Sequence, residues 1–176
     1  MRPDNNTELT GFLCYCPEKI ISGGQTGVDM GALLAAEKLR IQTGGYAPDG
    51  WKTERGANPG LANFGLIQSH STSYAVRTKH NVKMSDAVLC IASDKTWGSP
   101  GTVLTIDAAR AMNKPLGYAT FDFHEFCAPQ VRRFLDVYRP RVLMVAGNRE
   151  SKCPGIEKWT EEFLVHVFLD TMPARE

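Results

Sequence analysis

"ISGGQTGVDMGALLAAEKL", Ile21–Leu39, leaves an apolar segment, crosses Gly23, Gly24 and Gly27, and runs without a break into helix-forming sequence. Val28, Leu33, Leu34, Leu39 and the alanines form an apolar stripe, while Glu37, Lys38 and Arg40 can face water. The spacing therefore predicts a helix over Gly27–Arg40. Strand, glycine turn and helix in that order make the opening unit of a parallel α/β sheet. Gly23, Gly24 and Gly27 can take positive φ and lack a β-carbon, so a phosphate can approach the backbone at the helix N-terminus; they can equally serve only to make the turn. The order G-G-x-x-G-x-x-x-G fits neither the Walker pattern nor the G-x-G-x-x-G dinucleotide fingerprint. Gly31, one turn further in, is read as permitting close packing of helix on sheet. Thr26 and Asp29 resemble a helix-capping pair. Asp29 would repel a phosphate and otherwise suits a ribose hydroxyl or a bound water.

The same rhythm recurs along the chain. Apolar runs at Lys19–Ser22, Gln42–Tyr46, Ala87–Ala92, Pro115–Thr120 and Val142–Ala146 predict strands, and their lack of polar alternation suits strands covered on both faces. Helices are expected near Gly27–Arg40, Tyr74–Met84, Thr102–Asn113, Glu125–Val137 and Gly155–Leu169. Ala47–Gly65, rich in Gly and Pro, reads as a long loop inside the domain. The expected fold is a three-layer α/β, Rossmann-like parallel sheet with helices on both faces. An N-terminal arm over residues 1–17 precedes a single nucleotide-binding domain over 18–176.

In such a sheet the strand-to-helix turns gather at the carboxyl ends of the strands. A second anion-compatible turn follows the central strand in "DAVLCIASDKTWGSPGTVLTIDAARAMNKP", where Ser99, Gly101 and Thr102 offer backbone donors and Thr102 is a natural N-cap. The third is "VAGNRESKCPGIEKW", with Gly147 ending a strand, Arg149 in the turn and Pro154 early in the next helix. Arg149 and Arg77 can each fork onto a phosphate or stand as surface arginines.

The 176 residues carry 20 Lys plus Arg against 19 Asp plus Glu, a net charge of +1, so no strong field exists to gather nucleic acid or an anionic membrane. No apolar run is long enough to span a bilayer, and a cytoplasmic protein is expected. Cys14, Cys16, Cys90, Cys127 and Cys153 form no C-x-x-C pair and have no His at metal-ligand spacing, so no metal site is expected; Cys90 reads as a core residue.

The blocks "ISGGQTGVDMGAL", "GGYAPDG", "YAVRTKHNVKMSDAVLCI", "SPGTVLT" and "VAGNRESKCPGI" together resemble the circularly permuted YpsA-like family of the SLOG superfamily, once labelled molybdenum carriers, over Lys19–Leu169. The superfamily is related to lysine-decarboxylase-like phosphoribohydrolases. The resemblance implies a Rossmann-like fold in which the Val145–Ile156 block is the first strand, turn and helix of the unpermuted relatives. It also implies a nucleotide-derived ligand and a homodimer or higher oligomer. On the resemblance, Gly23, Gly24, Gln25, Thr26, Gly27, Arg77, Gly101, Thr102, Thr105, Gly147 and Arg149 border one pocket; Gln25, Arg77 and Thr105 enter on the resemblance alone. Three positions depart from the family's pattern: Met30 and Trp51 each stand where a basic residue is usual, and Asn148 lies within the usual G-P-R. Trp51 reads either as a stacking platform for a base or pterin or as part of a hydrophobic mini-core.

The phosphoribohydrolases carry a glutamate just after their Gly-Thr turn. Here Val103, Leu104, Thr105, Ile106 and Asp107 follow Thr102, and threonine does not replace a carboxylate in stabilising an oxocarbenium ion. The leading expectation is a binding protein for a phosphate-bearing ligand, either nucleotide-derived or a pterin of the molybdenum cofactor type. The alternative is a nucleotide N-glycoside hydrolase using Asp29 or Glu150.

Overall fold

The computed structural model describes residues 13–121 and 123–169; the polar start of the expected arm, Met1–Glu8, lies outside them. In chain order the elements are β1 (Lys19–Ile21), α1 (Val28–Lys38), β2 (Gln42–Ala47), a hairpin of β3 (Lys52–Thr53) and β4 (Gly56–Ala57), and β5 (Leu66–Gln68). There follow α2 (Tyr74–Met84), β6 (Ala87–Ala92), α3 (Pro100–Ala111), β7 (Leu116–Thr120), α4 (His124–Tyr138), β8 (Val142–Gly147) and α5 (Ile156–Phe168). The stretch expected as loop also holds two short 3-10 turns, Asp49–Trp51 and Pro59–Phe64. β5 and the hairpin have no apolar run to announce them. β5 buries only Leu66 and exposes Ile67 and Gln68 at the sheet edge.

Six strands form one parallel sheet in the order β5-β2-β1-β8-β6-β7. The unbroken apolar run of β6 is buried at every position because both of its faces are covered. Leu89 and Ile91 face one core, with Leu143 and Val145 of β8 and side chains of α1, α4 and α5. Val88 and Cys90 face the other, with Met144 and Ala146 and residues of α2 and α3. Period-two side-chain geometry thus produces the three expected layers. Cys14, Tyr15 and Cys16 pack against the first core, and the N–H of Leu13 bonds the carbonyl of Phe168 at 2.8 Å. Among the described residues no helix is long and apolar enough to cross a membrane.

The last strand, β8, lies between β1 and β6. From β1 the chain runs outward to β2, and from β6 it runs the opposite way to β7, so the connections part at β8. Open parallel sheets leave a crevice at such a point. The three turns singled out in the sequence therefore sit side by side at one edge.

Candidate functional site

The turns touch one another closely, and glycine makes that contact possible. The N–H of Val28 bonds the carbonyl of Asn148 at 3.0 Å, and the N–H of Asn148 bonds that of Ile91 at 3.2 Å. A β-carbon on Gly27 (φ 81°) would strike the Asn148 carbonyl, and one on Gly147 would strike the Ile91 carbonyl. A β-carbon on Gly23 would fall on the Arg77 guanidinium. Gly24 (φ 70°) lies against Leu61 and Leu66. At Gly31 the neighbour is not the sheet, as expected, but the Glu157 carbonyl and Thr160 of α5, so this glycine joins helix to helix.

Several amide donors at the first and third turns already have carboxylate acceptors. Asp29 Oδ2 accepts from the N–H of Gln25 at 3.2 Å, and Glu157 Oε2 from the N–H of Gly27 at 3.0 Å. Glu150 accepts from the N–H groups of Gly155 at 2.5 Å and Glu157 at 2.9 Å. Glu54, at the tip of the β3–β4 hairpin, accepts from Thr26 Oγ1, from Ser151 Oγ and from the N–H of Ser151 at 3.1 Å. Thr26 and Asp29 do not form the expected capping pair: α1 is capped by Gly27, and Thr26 spends its hydroxyl on Glu54. Pro154 precedes α5 and lies outside it.

At the second turn Ser99, not Thr102, is the N-cap, and Thr102 lies buried within α3. Asn148, read from sequence only as a departure, ties this turn together. Its Oδ1 accepts from the N–H of Ser93 at 3.0 Å and from Thr96 Oγ1. Its Nδ2 donates to Ser99 Oγ and Thr102 Oγ1, each at 3.4 Å. Thr105 Oγ1 donates back to the Gly101 carbonyl at 3.0 Å, and Gly101 has open space beside it.

Three cations gather round one aromatic ring. Arg149 lies 4.7 Å, Lys52 5.1 Å and Arg77 5.8 Å from the ring centre of Tyr74. Arg77, only 7% exposed, donates from Nη1 to Asp29 Oδ2 at 3.2 Å. Its Nε, like Gln25 Nε2, is buried without a partner among the described residues. Neither Lys52 nor Arg149 forms an ion pair among those residues. Burial pushes the Asp29 carboxyl up, against the opposing pull of Arg77 and the N–H groups of Gln25 and Gly23. For Glu54, burial is the largest single influence and raises the carboxyl, but the bonds from Ser151 and Thr26 and the charge of Arg149 together outweigh it and hold it below its ordinary value. Lys52, Glu54, Tyr74 and Ser151 were not singled out from sequence. Tyr74 had a signal, since it stands three residues before Arg77 on the same helix face; the hairpin residues had none.

Beside the hairpin a cleft of about 460 Å³ is lined by Thr26, Met30, Leu34, Thr53, Arg55 and Glu157, among others. Trp51 and Met30 pack on a small cluster of Leu33, Ala47, Leu61 and Leu66, the mini-core that one reading of Trp51 expected. Among the described residues no three His, Cys, Asp or Glu side chains come together as metal ligands. The thiols of Cys14 and Cys90 are pushed up to about 12 by burial, so they do not offer thiolate.

Residues 20–168 match the model of the circularly permutated YpsA SLOG family. No curated protein matches the chain. Among solved structures the chain is similar to the putative molybdenum carrier protein from Syntrophus aciditrophicus SB, with a TM-score of 0.80 and 35% identity over 87% of this chain and 95% of that one.

Proposed function

The chain belongs to the circularly permutated YpsA SLOG family, and from that membership we propose that it is a binding protein for a phosphate-bearing small molecule. The ligand is nucleotide-derived or a phosphorylated pterin of the molybdenum cofactor type. The observation that carries the proposal is the gathering of Lys52, Arg77 and Arg149 around Tyr74, with Arg77 Nε buried beside Gly23 and without an acceptor among the described residues. A buried guanidinium nitrogen lacking a partner costs free energy that an incoming oxygen recovers.

The cations, more than the helix N-termini, must supply the affinity. A helix N-terminus contributes about 0.3–1 kcal/mol to an anion, whereas micromolar binding needs about 8 kcal/mol. The N–H groups of Gly27, Gly155 and Glu157 are moreover taken by carboxylates. Gly23–Gly27 and Gly147 shape the crevice, Arg77 and Arg149 hold the phosphoryl group, and Ser99, Gly101, Thr102 and Thr105 border its far side. Asp29 and Glu150, the candidate carboxylates for hydrolysis, are engaged with Arg77 and with the start of α5, which favours binding without turnover. The same proposal keeps a single domain over 18–176, cytoplasmic and self-associating as a homodimer or higher oligomer.

The test is mass spectrometry of small molecules released from the purified protein on denaturation, paired with thermal unfolding in the presence of phosphorylated probes. A phosphorus-containing species and a saturable rise in Tm are expected. An empty spectrum with no rise for AMP, ADP-ribose or a phosphopterin overturns the proposal.

A further inference from the structure

The geometry points to Glu54 as the residue that restricts the site to ligands with a single phosphoryl group and an uncharged, hydrogen-bond-donating body. This rests on the phosphate-site reading above. Charge at the three turns is divided. Lys52, Arg77 and Arg149 surround Tyr74 on one side. Glu54, Glu150 and Glu157 lie on the other, against the starts of α1 and α5, with Asp29 buried beneath Arg77.

On the side of the β3–β4 hairpin, the donors within reach of a second phosphoryl group are Thr26 Oγ1 and the hydroxyl and N–H of Ser151. Glu54 already holds all three with its own carboxylate. Its N–H in turn bonds Gln25 Oε1 at 2.9 Å, which fixes the hairpin tip on the glycine turn. The Gly27 N–H is closed in the same way by Glu157. Arg149 serves both sides, since it lies over Tyr74 and also acts on Glu54. A diphosphate held by Arg149 with its second group toward the hairpin therefore meets the Glu54 carboxylate, and like charges brought together there repel.

A hydroxyl or amino group meets the opposite situation. Carboxylates keep lone pairs beyond those used here and accept readily from such donors. The cleft beyond them, of about 460 Å³ and lined by Thr26, Met30, Leu34 and Glu157, has the volume of a small-molecule site. The hairpin contributes Lys52 to the ring of cations about Tyr74 and Thr53 and Arg55 to the cleft, so one short element touches both.

Titration calorimetry of inorganic phosphate, pyrophosphate, AMP and ADP into the wild type, Glu54→Gln and Glu54→Asp tests this. The wild type should bind each monophosphoryl probe about tenfold or more tightly than its diphosphoryl counterpart. Glu54→Gln should shrink that ratio by about tenfold, and Glu54→Asp, which keeps the charge, should preserve it. Circular dichroism checks the fold, and Glu54→Ala replaces the glutamine variant if that one unfolds. A wild type that favours ADP and pyrophosphate, or a ratio that is the same with and without the carboxylate, overturns the role of Glu54 alone. Silence of all four probes overturns the phosphate site together with it.

Discussion

Arg77 and Asp29 form an ion pair at 3.2 Å with both side chains nearly sealed from solvent, one contributed by α2 and the other by the first turn of α1. Removing either partner leaves a buried group uncompensated, at a cost of about 3–5 kcal/mol. Arg77→Ala and Asp29→Ala should each lose stability of that order in urea unfolding. The double variant should lose clearly less than the two losses added together, because the pair shares one interaction. Strict additivity would mean that the pair does not hold the turn.

Lys52 and Arg149 differ from Arg77 in having no ion-pair partner among the described residues. Surface substitutions that break no such feature change stability by about 0.5 kcal/mol or less. Lys52→Ala and Arg149→Ala should accordingly unfold near the wild-type midpoint while losing about tenfold or more in affinity for AMP, read by calorimetry. Unchanged affinity in both variants would show that the cations around Tyr74 do not receive the anion.

Gly31 offers a contest between local and tertiary effects. Replacing a glycine inside a helix by alanine gains up to about 1 kcal/mol of intrinsic propensity. Here the added carbon would meet the Glu157 carbonyl and Thr160 of α5, and overpacking of that kind costs about 1–3 kcal/mol. The clash should win, with Gly31→Ala lowering Tm. A rise in Tm would show that α1 and α5 can move apart freely.

The layers were legible because burial on both faces leaves a mark in the letters: β6 and β8 are unbroken apolar runs, and α1 carries its stripe. β5 and the β3–β4 hairpin were not, since an edge strand that buries one residue and a hairpin of two-residue arms have no pattern to display. At the site, the positions of Gly27 and Gly147 stood out, but a glycine demanded by a neighbouring turn looks the same as one demanded by a ligand. The occupation of the amides was hidden for a related reason. Glu54 and Glu157 reach Thr26 and Gly27 across long sequence separations that composition does not report.

Glu54 makes a pH-dependent contribution whose sign follows from its environment. The bonds from Ser151 and Thr26 hold its carboxyl below the ordinary 4.5 despite partial burial. The folded state therefore binds the proton less readily than the unfolded chain. The stabilisation is complete above about pH 4.5 and fades as pH falls through the lower folded value. With solvent screening of this partly exposed group discounted, it should amount to about 0.5–1 kcal/mol at neutral pH. Glu54→Gln cannot titrate, so the stability gap between wild type and variant should be open at pH 7 and close on acidification toward pH 3. Urea midpoints across that range provide the measurement. A gap that stays constant down to pH 3 would mean that the carboxylate does not fasten the hairpin to the turns.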